Sequence, residues 1–197
     1  MLNTSTLAPP LRVAQWFNTD APITLNALRG RVVVVHAFQM LCPGCVSHGL
    51  PQAKRVQQLF PTSDVVVLGL HAVFEHHDAM GANALKVFLH EYRIAFPVAV
   101  DLPNAHSPIP ATMQAYRLRG TPSLIVIDRH GVVRLNHFGH MEDLQLGALI
   151  GELVAETVTE TPTGVDKLGT PTEMAAASDQ THCDHRQCTI HDDRAQV

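Results

Sequence analysis

"RVVVVHAFQMLCPGCVSHGLPQAKRVQQLF", residues 31–60, runs three kinds of sequence together without a break. The stretch from Arg31 to Phe38 is β-branched and apolar almost throughout, which reads as a strand buried on both faces and central in its sheet. The second half carries Val46, Leu50, Ala53, Val56, Leu59 and Phe60 near helical spacing. Pro51 falls inside that helix and removes a backbone donor, so a kink is expected there. Between strand and helix stand Cys42 and Cys45. "DVVVLGLHAVF", 64–74, repeats the character of the first strand, and strand, helix, strand implies a right-handed parallel crossover.

Further along, Met80, Leu85, Phe88, Leu89 and Tyr92 make a helical stripe in "AMGANALKVFLHEYRI", 79–94, followed by an extended "FPVAVD". "IPATMQAYRL", 109–118, predicts a shorter helix opening after Pro108. "PSLIVID" and "VVRLNHFG" flank "RHG", the pattern of an antiparallel hairpin. "MEDLQLGALIGELVAETV", 141–158, predicts a closing helix with Leu144, Leu146, Leu149, Ile150, Leu153 and Val154 on one face. The fold class is α/β: a mixed central sheet flanked by helices, parallel in its first half and antiparallel in its last hairpin. After Val158 the composition turns to Thr, Pro, Gly, Glu and Ser without periodicity, too little apolar surface to offset the entropy of ordering. The expectation is one domain over 1–158 and a disordered His/Cys-containing tail over 159–197.

The chain has 197 residues, 46% of them apolar, enough for a single well-cored domain. A net charge of −4, from 14 basic and 18 acidic residues, gives no reason to expect nucleic acid or an anionic membrane as partner. "MLNTSTLAPPLRVAQWF" lacks the charge and apolar run of a signal peptide, and no segment is long enough to span a bilayer. The expected location is cytoplasmic, or periplasmic if the chain is a processed form. In a reducing compartment a close cysteine pair points to catalysis or metal binding rather than to structure.

Cys42 follows the first core strand and begins the next helix, with Pro43 where a missing donor costs nothing. Unpaired N–H groups and the positive end of the helix dipole favour a thiolate there, with a pKa in the range of roughly 3.5 to 7.5. Cys42 is the expected attacking sulfur. Cys45, one turn on and deeper, is placed to resolve a mixed disulfide. Zinc, with two further ligands, and a pair of inert core thiols are the alternative readings.

In their order, "VVVVHAFQMLCPGCVSHGLPQAKRVQQLF", a strand, a helix, "FPVAVD" and "YRLRGTPSLIVIDRHGVVRLNHFG" resemble the thioredoxin superfamily, specifically its TlpA-like or redoxin-domain branch, over about residues 13–157. The resemblance implies a thioredoxin-like fold with this branch's inserted strand and helix. It implies a cis bond at Thr121-Pro122, where the backbone of Thr121 pairs with an extended substrate segment; read alone, Pro122 is an ordinary trans turn residue opening a strand. His36 stands six residues before Cys42, where thioredoxins place a buried Asp and TlpA-like proteins often an Asn. It is either a relay for the proton that Cys45 loses or a core histidine bonded to a carbonyl. Leu41 stands where many relatives have Trp.

The function this implies is thiol-disulfide oxidoreductase, exchanging two electrons with protein disulfides or thiols, with a thioredoxin or glutathione system as reductant and no cofactor. A peroxiredoxin-like, antioxidant peroxidase is the first rival, although Val35 and Gln39 occupy the positions where those enzymes carry Pro and Thr or Ser. A metallochaperone is the second. Histidines cluster with acids at His71, Glu75, His76, His77 and Asp78, which reads as a solvated loop near the cysteines more readily than as a metal site. His182, Cys183, His185, Cys188 and His191 could hold Zn or Cu, or form an exposed tail with a redox-active pair.

Overall fold

A computed structural model describes residues 6–156; the expected tail lies outside them. Six strands form one sheet in the order β1-β4-β3-β2-β5-β6. They are β1 (Val13–Phe17), β2 (Val32–Phe38), β3 (Val65–His71), β4 (Val98–Asp101), β5 (Ser123–Ile127) and β6 (Val133–Phe138). β2, β3 and β4 run parallel, whereas β5 and β6 pair antiparallel beside β2 and β1 pairs antiparallel with β4. The helices are α1 (Leu50–Leu59), α2 (Ala82–Glu91), α3 (Ala111–Ala115) and α4 (Asp143–Ala155).

The β-branched run of β2 is buried at every position, as a strand covered on both faces requires. Alternation sorts its side chains between two cores. Val32, Val34 and Phe38 pack with Leu50, Ala53 and Val56 of α1, Leu85 and Leu89 of α2, and Leu146, Ile150 and Leu153 of α4. Val33, Val35 and Ala37 face the other side, against Met113, Tyr116 and Leu118 in and after α3. Cys42 and Cys45 therefore follow the end of a strand that is buried along its whole length.

Two local expectations are refined. The helix around Pro51 is not regular: the chain widens into a π-helical turn over Cys45–Gly49 that runs directly into α1, with the Leu50 N–H bonded to the Cys45 carbonyl. A wider turn removes the demand for an N–H at residue 51 and relieves the clash of its ring with the preceding carbonyl. In α4 the buried face is Leu146, Ile150 and Leu153, whereas Leu144 is 88% exposed. Leu144 lies two residues from Leu146 and so about 200° round the helix from it.

α3 is short and has no side chain of its own at its amino end. The buried Asp101, at the end of β4, accepts from the backbone N–H groups of Thr112 (2.7 Å) and Met113 (2.8 Å). Burial pushes its carboxyl pKa up, and these hydrogen bonds oppose that.

Candidate active site

At the end of β2 the chain turns sharply, with the Cys42 N–H bonded to the Gln39 carbonyl at 3.2 Å. This turn delivers Cys42 to the start of the helix in the position of an N-cap. Its carbonyl accepts from the N–H groups of Cys45 and Val46, both at 3.1 Å. Its Sγ also accepts from the Cys45 N–H, at 3.2 Å, the bond an N-cap side chain makes to the third residue of a helix. A partial positive charge thus faces the sulfur, the arrangement that favours a thiolate once the pair is reduced.

Cys42 and Cys45 are joined by a disulfide with their Cα atoms 5.2 Å apart. Their exposures differ. Cys42 is partly accessible, while Cys45 is fully buried in the core under the helix.

Across from the pair, the Thr121 carbonyl oxygen lies 3.5 Å from Cys42 Sγ, where a thiol could donate to it. The Thr121-Pro122 bond is cis, and the Pro122 ring packs on the helix start, 3.4 Å from where a side chain on Gly44 would begin. The Pro122 carbonyl accepts from Gly139 N–H at 2.9 Å. Next to this segment the Phe138 ring is 45% exposed and carries the Arg119 guanidinium 5.5 Å from its centre. Leu41, 60% exposed, flanks Cys42 on its amino-terminal side. Leu41 next to Cys42 and Phe138 next to the Gly120–Ser123 segment are both exposed apolar side chains.

His36 lies beneath. It is almost fully buried, its Nε2 has no hydrogen-bond partner, and its Nδ1 sits 3.8 Å from the point where a Gly49 side chain would begin, with Pro122 beside it. Burial lowers its pKa to about 4, so the ring is neutral at neutral pH. The expected carbonyl partner for a merely structural histidine is missing at Nε2. The geometry thus brings Cys42, Cys45, Thr121, Pro122 and His36 to one place.

Of the histidine-rich stretch, His71 is the last residue of β3 and buried, whereas Glu75, His76, His77 and Asp78 are exposed in the following loop. Among the described residues no group of three or more His, Cys, Asp or Glu side chains is arranged to hold a metal. The sequence reading weighed Gln39 only against the peroxidase alternative and missed its structural link. Its buried amide accepts from Phe74 N–H and donates to Glu75, both at 3.3 Å, tying this loop to the turn that carries Cys42. A polar residue closing an apolar strand three positions before the cysteine was the available signal.

This is a thioredoxin-like fold with a disulfide-forming CxxC pair at the head of its first long helix. The family model described as Redoxin matches residues 5–147, so the chain belongs to the Redoxin family. A solved thioredoxin-like superfamily protein superposes with a TM-score of 0.75 at 56% identity, over 77% of this chain and 97% of that one. A thiol-disulfide isomerase from Corynebacterium glutamicum does so with a TM-score of 0.73 at 53% identity, over 76% and 98%. Protein DipZ of Mycobacterium bovis is 31% identical over 135 residues, which are 67% of this chain but only 18% of DipZ. The chain thus spans less than a fifth of that relative's length.

Proposed function

We propose that the protein is a thiol-disulfide oxidoreductase that exchanges two electrons with protein disulfides through Cys42 and Cys45. The observation that carries this reading is the pairing of a partly exposed, N-capping sulfur with a fully buried one at bridging distance. In the reducing direction the Cys42 thiolate attacks one sulfur of a substrate disulfide. The substrate's S–S bond breaks, its second sulfur leaves as a thiolate and takes a proton, and Cys42 is left in a mixed disulfide. Cys45 then loses its proton and attacks Cys42 Sγ. The remaining substrate thiol is released and the Cys42–Cys45 disulfide forms, so the substrate gains the two electrons that the dithiol loses.

An extended substrate segment lying along Thr121 would place its sulfur in line with Cys42, with Leu41 and Phe138 contacting its flanking side chains. His36, neutral and short of a partner at Nε2, is the group proposed to take the proton from Cys45. In a cytoplasmic setting a thioredoxin or glutathione system would restore the dithiol. The peroxidase reading lacks a hydroxyl before the cysteine, since Val35 is buried on the opposite face of the sheet and the Gln39 amide is engaged with Phe74 and Glu75.

The test is insulin reduction by the reduced protein, together with Cys45→Ser, which should accumulate a mixed disulfide through Cys42. Fast consumption of micromolar hydrogen peroxide with no insulin reduction would replace this reading with the peroxidase.

A further inference from the structure

Three stretches of chain meet at the cysteine site: 36–54 with the turn and the helix start, 116–124 with the Thr121-Pro122 segment, and 135–141 with the end of β6 and the loop after it. None contains an aspartate or a glutamate, although the chain has 18 of these against 14 lysines and arginines. The acidic groups that approach have protein partners. Glu75 accepts from the Gln39 amide, and Asp143 accepts from Gln52 and Arg55. Glu142 stands 3.9 Å from His140. The cations differ. Arg117 and Arg119 stand on the Thr121 segment itself, both are exposed, and neither forms an ion pair among the described residues, whereas Arg55, Arg129 and Arg134 each do.

Arg119 also has a defined place. Its guanidinium lies over the Phe138 ring, 5.5 Å from the ring centre. Gly120 lies so close to that ring that a Cβ there would stand 2.9 Å from Phe138 Cε2, and Phe138 pairs across the sheet with Ser123. Ring, guanidinium and Thr121 backbone are therefore neighbours. Arg119 precedes Thr121 by two residues, so their Cα atoms are at most about 7 Å apart, and the Thr121 carbonyl is itself 3.5 Å from Cys42 Sγ. Stacking on a ring face orients the guanidinium plane and leaves its N–H edges free, the geometry that meets a carboxylate with two parallel hydrogen bonds.

We propose that Arg119 determines specificity, and that the site prefers protein disulfides in which an acidic residue lies about two positions from the reacting cysteine. The substrate backbone runs along Thr121, and the carboxylate is held by the guanidinium that rests on Phe138. With Cys42 and Cys45 read as an oxidoreductase pair, on which this proposal rests, the electron transfer is unchanged and only the choice of substrate is added. Because Arg119 is exposed, water screens the pair, and the preference it creates is modest, about three- to fivefold.

The experiment uses two capped heptapeptides with a central cysteine, identical except for glutamate or glutamine two residues to either side of it, each oxidised to its symmetric disulfide. Reduction by the reduced full-length protein gives kcat/KM for each. Dividing by the rate with dithiothreitol removes the intrinsic difference in reactivity between the two disulfides. The glutamate peptide should be preferred by about three- to fivefold. Arg119→Gln should bring that ratio to about one, and Arg119→Glu should push it below one through like-charge repulsion. Both variants change one exposed side chain, where substitutions seldom disturb folding. A preference that survives in Arg119→Gln, or a ratio in Arg119→Glu no lower than in the unaltered protein, overturns the proposal. Insulin reduction measured alongside separates two failures. Equal rates on the two peptides with insulin reduced overturn this proposal alone, whereas failure to reduce insulin or either peptide overturns the oxidoreductase reading and this proposal with it.

Discussion

The backbone N–H of Cys45 lies 3.2 Å from Cys42 Sγ, so the second cysteine hydrogen-bonds the first through its main chain and reaches it through its side chain. In the proposed cycle the same residue would favour the attacking thiolate and later displace the substrate from it. One expectation is direct. In the reduced protein, iodoacetamide should modify Cys42 rapidly at pH 6 to 7, well below the value of about 8.5 for a free cysteine, while the fully buried Cys45 stays unlabelled. Peptide mapping after timed alkylation measures both rates. Equal labelling of the two, or no labelling of Cys42 below pH 8, would remove the electrostatic basis of the assignment.

His36 allows a separate measurement. Replacing it with Asn keeps a small polar side chain but removes a base. If it takes the proton from Cys45, His36→Asn should slow release of substrate from the mixed disulfide by about 10²-fold, the lower end of the usual contribution of a positioned base. The pH profile of that step should change as well, while Cys42 alkylation is unaltered. Stopped-flow disulfide exchange between pH 5 and 9 separates the two steps. An unchanged profile leaves His36 as a core residue only.

Two buried histidines make stability depend on pH. Burial lowers the pKa of both His36 and His71 from 6.5 to about 4. Between those values the unfolded chain binds more protons than the folded one, so stability rises with pH across that window. It is complete above about 6.5 and lost as pH falls toward 4, by an amount of order 3 kcal/mol for each ring. Asp101, whose pKa is raised, works in the opposite sense just above the ordinary carboxylate value. The urea midpoint should therefore fall steeply from pH 6.5 to 4, and His71→Phe should flatten that fall by about half. A midpoint insensitive to pH over this range would show that the rings are charged or hydrated in the folded protein.

Much of this fold was legible because its core strands are continuous β-branched runs. "VVVV" at 32–35 and "VVVLGL" at 65–70 read as buried strands by their shortness and β-branching, and the cysteine pair falls between them. β1 was not singled out as a strand. "VAQWF" is an edge segment only partly buried, and its pairing with β4 reaches some 80 residues along the chain. The cap of α3 was illegible for the same reason, since Asp101 lies ten residues before the helix it serves. Cys42, Cys45 and the Thr121-Pro122 segment could be placed from local pattern and family resemblance. The missing partner of His36 and the Gln39 link to Phe74 and Glu75 could not, because each depends on which buried atoms meet across the sheet and its loops.

The glycines of β3 and of the Thr121 segment predict opposite responses to one added methyl group. At Gly69 a Cβ would stand 2.9 Å from Val98 Cγ2, 3.1 Å from Phe96 Cε2 and 3.2 Å from Phe38 Cε1, all in the core. None of these groups can retreat without displacing its neighbours, so Gly69→Ala should cost about 1–3 kcal/mol, the usual penalty of overpacking. At Gly120 the Cβ would approach Phe138 Cε2 to 2.9 Å, but that ring is 45% exposed on an edge strand and can swing outward. Gly120→Ala should change stability by less than about 1 kcal/mol. Its effect should fall on function, because the displaced ring lies beside the Thr121-Pro122 segment and is proposed to contact substrate: KM for insulin should rise with the rate of iodoacetamide labelling unchanged. Urea unfolding of both variants and insulin kinetics of the second test the pair. A large stability loss in Gly120→Ala would mean that Phe138 is held in place, and an unchanged KM would remove it from the substrate surface.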